Sequence, residues 1–314
     1  MQCCHGPRIS RRGLLHGAAV AGAALVAEGT RRAAPTAHAQ IPATAPPSVA
    51  ELQRIAEDVY QWRIIGHNAI FIVTDAGVIA TDPCGLVVPR SPQMYRAAIA
   101  TVTDLPVRYV VYSHDHEDHN KGGAVFADTA EFVAHRLAAP KIAARNDPDS
   151  PVPTILVDDR LELTLGSTRV ELIYTGRNHS DNSLVLLYPA RRLLFAVDFI
   201  PVRTVHFRDL PDSYTQEWIA SLRWIEEHLD FDILAPGHGP LGTRDTVREV
   251  REYTEDLVAA IRAARAQGLP DNSEAMVAAV RAALAPRYGS WAQFDAWLPL
   301  NIQGVIRNWA QGQP

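Results

Sequence analysis

Cysteine is scarce in this sequence, and its placement excludes a fold held by disulfides. The 314 residues include three cysteines; Cys3 and Cys4 stand at the N-terminus, so Cys84 is alone in the rest of the chain. A single thiol cannot form a disulfide within the chain, so the fold must be held without disulfides, by burial of its core. For Cys84 itself we expect a small, half-buried thiol.

Long hydrophobic runs and an excess of positive charge are also missing. The weakly apolar stretch up to Ala27 is shorter and richer in glycine than the roughly 20 apolar residues that a membrane helix needs. The formal net charge is −5, and residues 1–39 carry five Arg and one Glu, so their removal would leave −9. An acidic chain is a poor partner for phosphate backbones, which argues against nucleic-acid binding.

Residues 1–39 resemble a twin-arginine export signal. The paired arginines lie in the segment SRRGLL at residues 10–15, an apolar run follows, and Ala37-His38-Ala39 is an A-x-A cleavage pattern. The resemblance implies a signal peptide at 1–39, the twin-arginine translocase as a partner during export, and a mature chain that starts near Gln40 in the periplasm or outside the cell. The alternative is a disordered, Ala-rich N-terminus with a chance Arg pair.

Composition and periodicity divide the remaining chain into three predicted parts. Residues 40–50 are rich in Pro and Ala and are predicted to be a linker. Residues 51–243 alternate predicted strands and helices, and residues 244–314 are predicted to be a helical extension packed on that domain. Strands followed by helices, twice over, indicate two packed sheets with helices outside. Strands are predicted at 59–65, 69–73, 78–81, 107–112, 131–134, 160–165, 168–174, 183–187, 193–197 and 232–235.

Helices are predicted from apolar periodicity and from start signals. Ser91-Pro92 predicts a helix start, with Ser91 as the cap and Pro92 in the first helical position. The predicted helices are 91–103, a short one after Gly123, 137–144, 215–229, 244–267, 273–284 and a Trp-bearing C-terminal end.

The motif with the clearest chemistry is HDHEDH at residues 114–119, directly after an apolar strand. Imidazole nitrogens and carboxylate oxygens suit Zn²⁺ and neighbouring first-row metals. His114 and His116 can point to the same side, because side chains two apart share a face. Asp118 and His119, further along, are then free to face a second ion. The plain alternative is a solvated polar loop that binds nothing.

Three later residues, His179, Asp198 and His238, complete a predicted ligand set, because each follows a predicted strand. Strand ends that converge on one rim would collect them, and two ions about 3.5–4 Å apart can share one hydroxide. Alone, each has an ordinary explanation: a core or surface histidine, a strand-end cap, or a turn. The predicted sets are His114, His116 and His179 for one ion and Asp118, His119 and His238 for the other, with Asp198 bridging both.

With these residues in this order, the sequence resembles the metallo-β-lactamase superfamily over roughly residues 66–241. The resemblance implies an α/β fold, a four-layer αββα sandwich, here with extra C-terminal helices. It also implies that Asp82, at the end of an early strand, supports the metal loop from behind the ligands. His116 stands where the diiron oxygen- and nitric-oxide-reducing branch has Glu, which favours the hydrolytic branches.

The predicted function is an exported hydrolase that binds two Zn²⁺ per chain, although Fe or Mn suits the same ligands. Hydroxide formed at the metals would attack an ester, thioester, lactone or amide of a small-molecule substrate. Asp118 is the predicted catalytic residue, because its carboxylate can hold the hydroxide and take its proton.

Three other functions stay open. The first is a β-lactamase proper, since residues 178–183 resemble one lactamase subclass; that subclass has Cys where this chain has Asp198. The second is a mononuclear iron enzyme like the persulfide dioxygenases, and the third is an accessory protein that binds metal without turnover. Further candidates for lining the pocket, each with an ordinary surface or structural role as the stronger expectation, are His67, His206, Lys121 and Arg203.

Overall fold

The computed structural model describes residues 49–312. The signal peptide predicted at 1–39 and most of the predicted linker lie outside these residues. Within the part described, no helix combines the length and the apolar character that crossing a bilayer requires.

Every strand of the described residues belongs to one of two sheets. The strands are β1 (Ala50–Arg54), β2 (Val59–Ile64), β3 (His67–Val73), β4 (Val78–Thr81), β5 (Val107–Val111), β6 (Glu131–His135), β7 (Ile155–Val157), β8 (Arg160–Leu165), β9 (Thr168–Tyr174), β10 (Leu184–Tyr188), β11 (Leu193–Phe195) and β12 (Ile233–Ala235). The α-helices are α1 (Ser91–Ala100), α2 (Glu117–Asn120), α3 (Ala138–Arg145), α4 (Thr215–His228), α5 (Arg244–Ala266), α6 (Glu274–Tyr288) and α7 (Phe294–Ala310). Short 3₁₀ turns lie at Gly123–Phe126 and Pro189–Arg191.

The first sheet contains β1 to β7 in chain order, antiparallel from β1 to β4 and parallel from β4 to β7. The second has the order β12-β11-β10-β9-β8 and is antiparallel except for the β11–β12 pair. Parallel neighbours need a crossover connection, and each parallel pair here is joined by a helical segment.

Both faces of each sheet are buried, which accounts for strands that are apolar on both sides. In β3, Ile70 and Ile72 pack between the two sheets, whereas Ala69 and Phe71 pack towards α1 and α3. The outer face of the second sheet packs against α4 to α7 in a third cluster. The layers are therefore helix, sheet, sheet, helix, and the predicted αββα sandwich with additional C-terminal helices is confirmed.

Some local predictions were wrong. Ser91 does not cap α1: Arg90 occupies that position in the left-handed conformation, and the buried Ser91 hydroxyl donates to the Cys84 carbonyl at 2.5 Å. Two strands, β1 and β7, were not predicted, because short segments of this kind acquire strand structure by pairing with a neighbour. Half of the HDHEDH motif forms the single turn α2. Cys84 is fully buried rather than half-buried.

Candidate metal centre

The structure brings together all seven predicted ligands, which come from four segments that each follow a strand. The motif at 114–119 follows β5, His179 follows β9, Asp198 follows β11 and His238 follows β12. Their side chains form two neighbouring clusters of potential ligand atoms.

The first cluster contains His114, His116, His179 and Asp198, whose ligand atoms all lie within 4.8 Å of one another. Nε2 of His179 lies 3.2 Å from Nδ1 of His116 and 3.6 Å from Oδ2 of Asp198. Nε2 of His114 lies 3.7 Å from the same Asp198 oxygen. The cluster is almost closed to solvent, since His114 is fully buried and His179 is 6% exposed.

The second cluster contains Asp118, His119 and His238, joined by His67. Nε2 of His119 lies 3.2 Å from Nε2 of His238 and 3.7 Å from Oδ2 of Asp118. Oδ1 of Asp198 lies 3.2 Å from the Nε2 atoms of both His119 and His238. Asp198 thus turns one oxygen to each cluster, as a bridging ligand would.

These distances fit small cations. Four ligands at about 2.1 Å around a tetrahedral zinc ion are roughly 3.4 Å from one another. The seven contacts given above measure 3.2 to 3.7 Å, and all ligand atoms of each cluster lie within 4.8 Å of one another. Nε2 of His114 and Oδ1 of Asp198 are buried without a hydrogen-bond partner among the residues described. Buried polar atoms in proteins are normally satisfied, so these two atoms, one facing each cluster, indicate a cation as the missing partner in each.

Asp82 holds two of the histidines in the required tautomer. It is fully buried, accepts hydrogen bonds from the Ser113 amide at 2.8 Å and hydroxyl at 2.7 Å, and lies 3.1 Å from Nδ1 of His119. Because the Ser113 hydroxyl donates to Asp82, it must accept from Nδ1 of His114, 2.9 Å away. Both rings therefore carry their proton on Nδ1 and present the Nε2 lone pair to the clusters.

Asp212 contacts a predicted ligand, and the sequence did not reveal it. Its Oδ2 lies 2.8 Å from Nε2 of His116, so this ring donates from Nε2 and presents Nδ1 to the first cluster. Burial opposes protonation of His116, but the hydrogen bond to Asp212 raises the pKa of the ring above its usual value. Asp212 lies in a loop 96 positions from His116, and no local pattern marks it.

Burial keeps two ligands of the first cluster neutral. It lowers the pKa of His114 well below the usual value and that of His179 to about 4. Neutral imidazoles retain the lone pair that a metal needs, so both rings are ready to bind a cation at neutral pH.

The two carboxylates are held ionised. Burial raises the pKa of Asp198, but the neighbouring imidazoles of His119 and His238 outweigh it and hold that pKa well below the usual range. Burial likewise opposes ionisation of Asp118, yet the hydrogen bond from His67 and the nearby His119 lower its pKa to about 2. Ionised carboxylates between imidazoles are the state in which such groups bind divalent cations.

Gly237 lets the loop after β12 approach the bridging residue. A Cβ on this glycine would lie 2.4 Å from Cγ2 of Val197 and 2.6 Å from Oδ1 of Asp198. The absence of a side chain is therefore a condition for placing His238 beside Asp198.

The other pocket candidates differ in outcome. His67 joins the second cluster. His206 is buried against Trp218, with ring centroids 4.2 Å apart, and Lys121 forms an ion pair with Asp147 at 2.8 Å. His206 thus has a packing role, which is the structural role that was the stronger expectation for it.

Comparisons with known proteins agree with this arrangement. Residues 64–238 match the family model described as the metallo-beta-lactamase superfamily. A 174-residue stretch, 54% of this chain and 52% of the relative, is 34% identical to 2,4-dinitroanisole O-demethylase subunit alpha of Nocardioides sp. (strain JS1661). A metallo-beta-lactamase type 2 of Bacillus sp. (strain 170) is 23% identical over 138 residues, 43% of this chain and 52% of the relative.

Solved structures share the fold. A metallo-beta-lactamase from Pontibacter korlensis is similar with a TM-score of 0.59 at 17% identity, over 66% of this chain and 99% of that one. The chain spans 52% of the length of the O-demethylase subunit alpha, so likeness to that relative concerns only part of it.

Proposed function

The chain belongs to the metallo-beta-lactamase superfamily, and from that premise we propose that it is a hydrolase that binds two divalent cations, one in each ligand cluster. Asp198 is the observation that carries the proposal. Its Oδ2 lies 3.6–3.7 Å from imidazole nitrogens of one cluster, and its Oδ1 lies 3.2 Å from two nitrogens of the other. Zinc suits these ligands best, and iron or manganese suits them too.

Asp118 is the proposed proton acceptor. Cations of this kind, when bound, would lower the pKa of a bound water to about 7 and polarise the bond under attack. The Asp118 side chain is 36% exposed, so it can contact both solvent and substrate. Its carboxyl group is ionised at neutral pH. With Oδ2 turned to the cluster, its second oxygen remains available to take a proton from the attacking water.

Neighbouring residues fix the orientation of the ligands and exclude water from one side of the site. Asp82 and Asp212 orient His119 and His116, as described above. Trp218 packs edge-on against His179, with centroids 5.9 Å apart, and is itself buried. An apolar wall beside the first cluster strengthens the electrostatic contacts made there, because it excludes water.

The proposed substrates are esters, thioesters, lactones and amides. A second candidate is an aryl methyl ether, because the relative with 34% identity is named for O-demethylation of 2,4-dinitroanisole. Hydrolysis of such an ether would give a phenol and methanol. β-Lactams are a further candidate, supported by the relatives named as metallo-beta-lactamases.

Two measurements on one preparation test the proposal. Metal analysis should return two cations per chain, and chromogenic ester, thioester, lactone, β-lactam and nitroanisole substrates should reveal turnover that a chelator abolishes. A single iron per chain would instead favour a dioxygenase, and two cations without turnover on the whole panel would favour a binding protein.

Replacing the proton acceptor tests its role. Asp118→Asn should lower kcat about 10²- to 10⁴-fold, the usual contribution of a general base, while the circular dichroism spectrum stays unchanged. The control is Asp128→Asn, because Asp128 is an exposed residue paired with Arg96. Full turnover by Asp118→Asn would remove this residue from the mechanism.

We also propose that the chain is exported, on the strength of the SRRGLL segment and the A-x-A pattern near Ala39. N-terminal sequencing of the native periplasmic protein should begin near Gln40. A native protein that begins at Met1 or Gln2 would contradict export by this route.

A further inference from the structure

We propose that His67 is a ligand of the second cation, beside Asp118, His119 and His238. This inference rests on the proposed function, because it requires that the second cluster binds a cation. His67 lies outside the strand ends that supply the other ligands.

The backbone fixes where His67 stands. It is the first residue of β3 and forms an antiparallel bridge with His238. The next residue, Asn68, locks the same two segments together: its amide donates to the Gly237 carbonyl at 2.7 Å, and its side chain donates to Pro236 at 3.0 Å. The His67 ring is therefore delivered to the cluster by a paired strand.

The side chain is at ligand distance. Nε2 of His67 lies 3.2 Å from Oδ2 of Asp118, the same separation as between Nε2 of His119 and Nε2 of His238. The ring stands edge-on to His238, with centroids 4.4 Å apart, and is only 21% exposed. The ligand atoms of His67, Asp118, His119 and His238 all lie within 4.8 Å of one another.

With His67, the two clusters have the same composition. The first has three imidazoles and the carboxylate of Asp198, and the second has three imidazoles and the carboxylate of Asp118. Four nitrogen and oxygen donors are the usual complement of a tetrahedral zinc site.

One ring nitrogen distinguishes His67 from four of the other histidines. His114, His116, His119 and His238 each have a partner for the nitrogen that points away from the cluster. Nδ1 of His67 is buried without one among the residues described, so the position of the ring depends on β3 and on the contact between Nε2 and Asp118.

The consequence is an unequal pair of sites. The second cation would have four donors of its own in addition to Oδ1 of Asp198, whereas the first would have three imidazoles and the shared residue. The first cation would then have four protein donors and the second five.

Zinc binding to the full-length protein tests the inference. Protein stripped with a chelator is titrated with Zn²⁺ against a chromophoric competitor, for the wild type, His67→Gln, His67→Glu and His228→Gln. Glutamine keeps an N–H that can donate to Asp118 but is a poor zinc ligand. A glutamate at this position has the reach of the imidazole Nε2 and restores a ligand. His228 is an exposed helix residue that serves as the control.

In His67→Gln one of the two zinc affinities should fall at least about tenfold, the scale on which even residues that only orient ligands act, while the other affinity stays unchanged. His67→Glu should recover most of the loss, and His228→Gln should match the wild type. Two unaltered affinities in His67→Gln would overturn the inference and leave the proposed function standing. A wild type that binds no second zinc would instead overturn the two-cation proposal itself.

Retention of the first zinc by His67→Gln also reports that the variant is folded. Cobalt substitution gives a second reading, since the visible spectrum of the second Co²⁺ should change in His67→Gln and not in His228→Gln. An identical cobalt spectrum in the two variants would contradict a ligand role.

Discussion

The histidines of this chain take different roles according to the partner of each ring nitrogen. His119 has the carboxylate of Asp82 behind it, and His116 has that of Asp212, so each presents its other nitrogen to a cluster. His206 has a hydroxyl partner instead: Nε2 lies 2.8 Å from Oγ1 of Thr254. That hydroxyl donates to a helix carbonyl, so His206 must donate to it and is a neutral packing residue.

His206 should therefore make stability depend on pH. Burial lowers its folded pKa to about 3 from 6.5. Between these two pKa values the unfolded chain binds a proton at His206 that the folded chain does not. The contribution of neutral, buried His206 to the free energy of unfolding is therefore fully present above pH 6.5 and is lost as the pH falls. The loss is at most about 1.4 kcal/mol per pH unit.

The measurement is the free energy of unfolding by urea at several pH values from 7 to 4, with chelator present so that metal loss does not contribute. His206→Gln should show a shallower loss below pH 6.5 than the wild type. The exposed His228→Gln variant should keep the wild-type slope, and equal slopes for all three proteins would refute this role of burial.

At the scale of elements, the centre depends on loops from both sheets being held together. The β2–β3 hairpin belongs to the first sheet and the loop after β12 to the second. Asn68 joins them: its side-chain amide donates to the carbonyls of Pro236 and Gly239, and its Oδ1 accepts from Arg63 at 3.0 Å. Asn68 is completely buried, so water does not replace these contacts.

Asn68→Ala should destabilise the protein and loosen the second cluster. Loss of a buried hydrogen-bonding group costs about 1–3 kcal/mol in the free energy of unfolding, and the freed loop should hold His238 less firmly. Urea unfolding and zinc competition measure the two effects. Gln53→Ala, at an exposed position of β1, is the control; a variant as stable and as tight for zinc as this control would rule out the joining role.

At the scale of the whole molecule, the C-terminal helices form one packed layer with the second sheet. Tyr253 of α5 and Leu298 and Ile302 of α7 lie in the same buried cluster as Leu194 of β11. Asn301 of α7 connects this layer to the loop before α4, since its side chain donates to the carbonyls of His206 and Arg208 at 2.8 and 2.7 Å. It also accepts from the Tyr253 hydroxyl at 2.7 Å.

Asn301→Ala should be strongly destabilising, because it leaves two buried groups, the His206 carbonyl and the Tyr253 hydroxyl, without this partner. At about 1–3 kcal/mol for each such group, a total loss of at least about 2 kcal/mol is expected in urea unfolding. Gln303→Ala, on the exposed side of the same helix, should stay within about 0.5 kcal/mol of the wild type. A loss at Asn301 no larger than at Gln303 would show that the helical layer does not depend on this contact.

Local sequence was sufficient wherever one segment carries its own signal. Apolar periodicity predicted the long helices α4 and α5 and most strands, and the HDHEDH spacing, with one polar residue after each of three later strands, predicted the seven residues that the structure brings together. These signals can be read from the sequence because backbone preference and side-chain spacing are properties of a few consecutive residues.

Tertiary structure decided the rest. His67 and Asp212 contact Asp118 and His116 across 51 and 96 positions, and neither has a neighbouring motif. The short strands β1 and β7 exist because a partner strand lies beside them, and Ser91 serves a carbonyl of the loop rather than its helix. Such contacts depend on how the two sheets pack, because packing determines which distant side chains become neighbours.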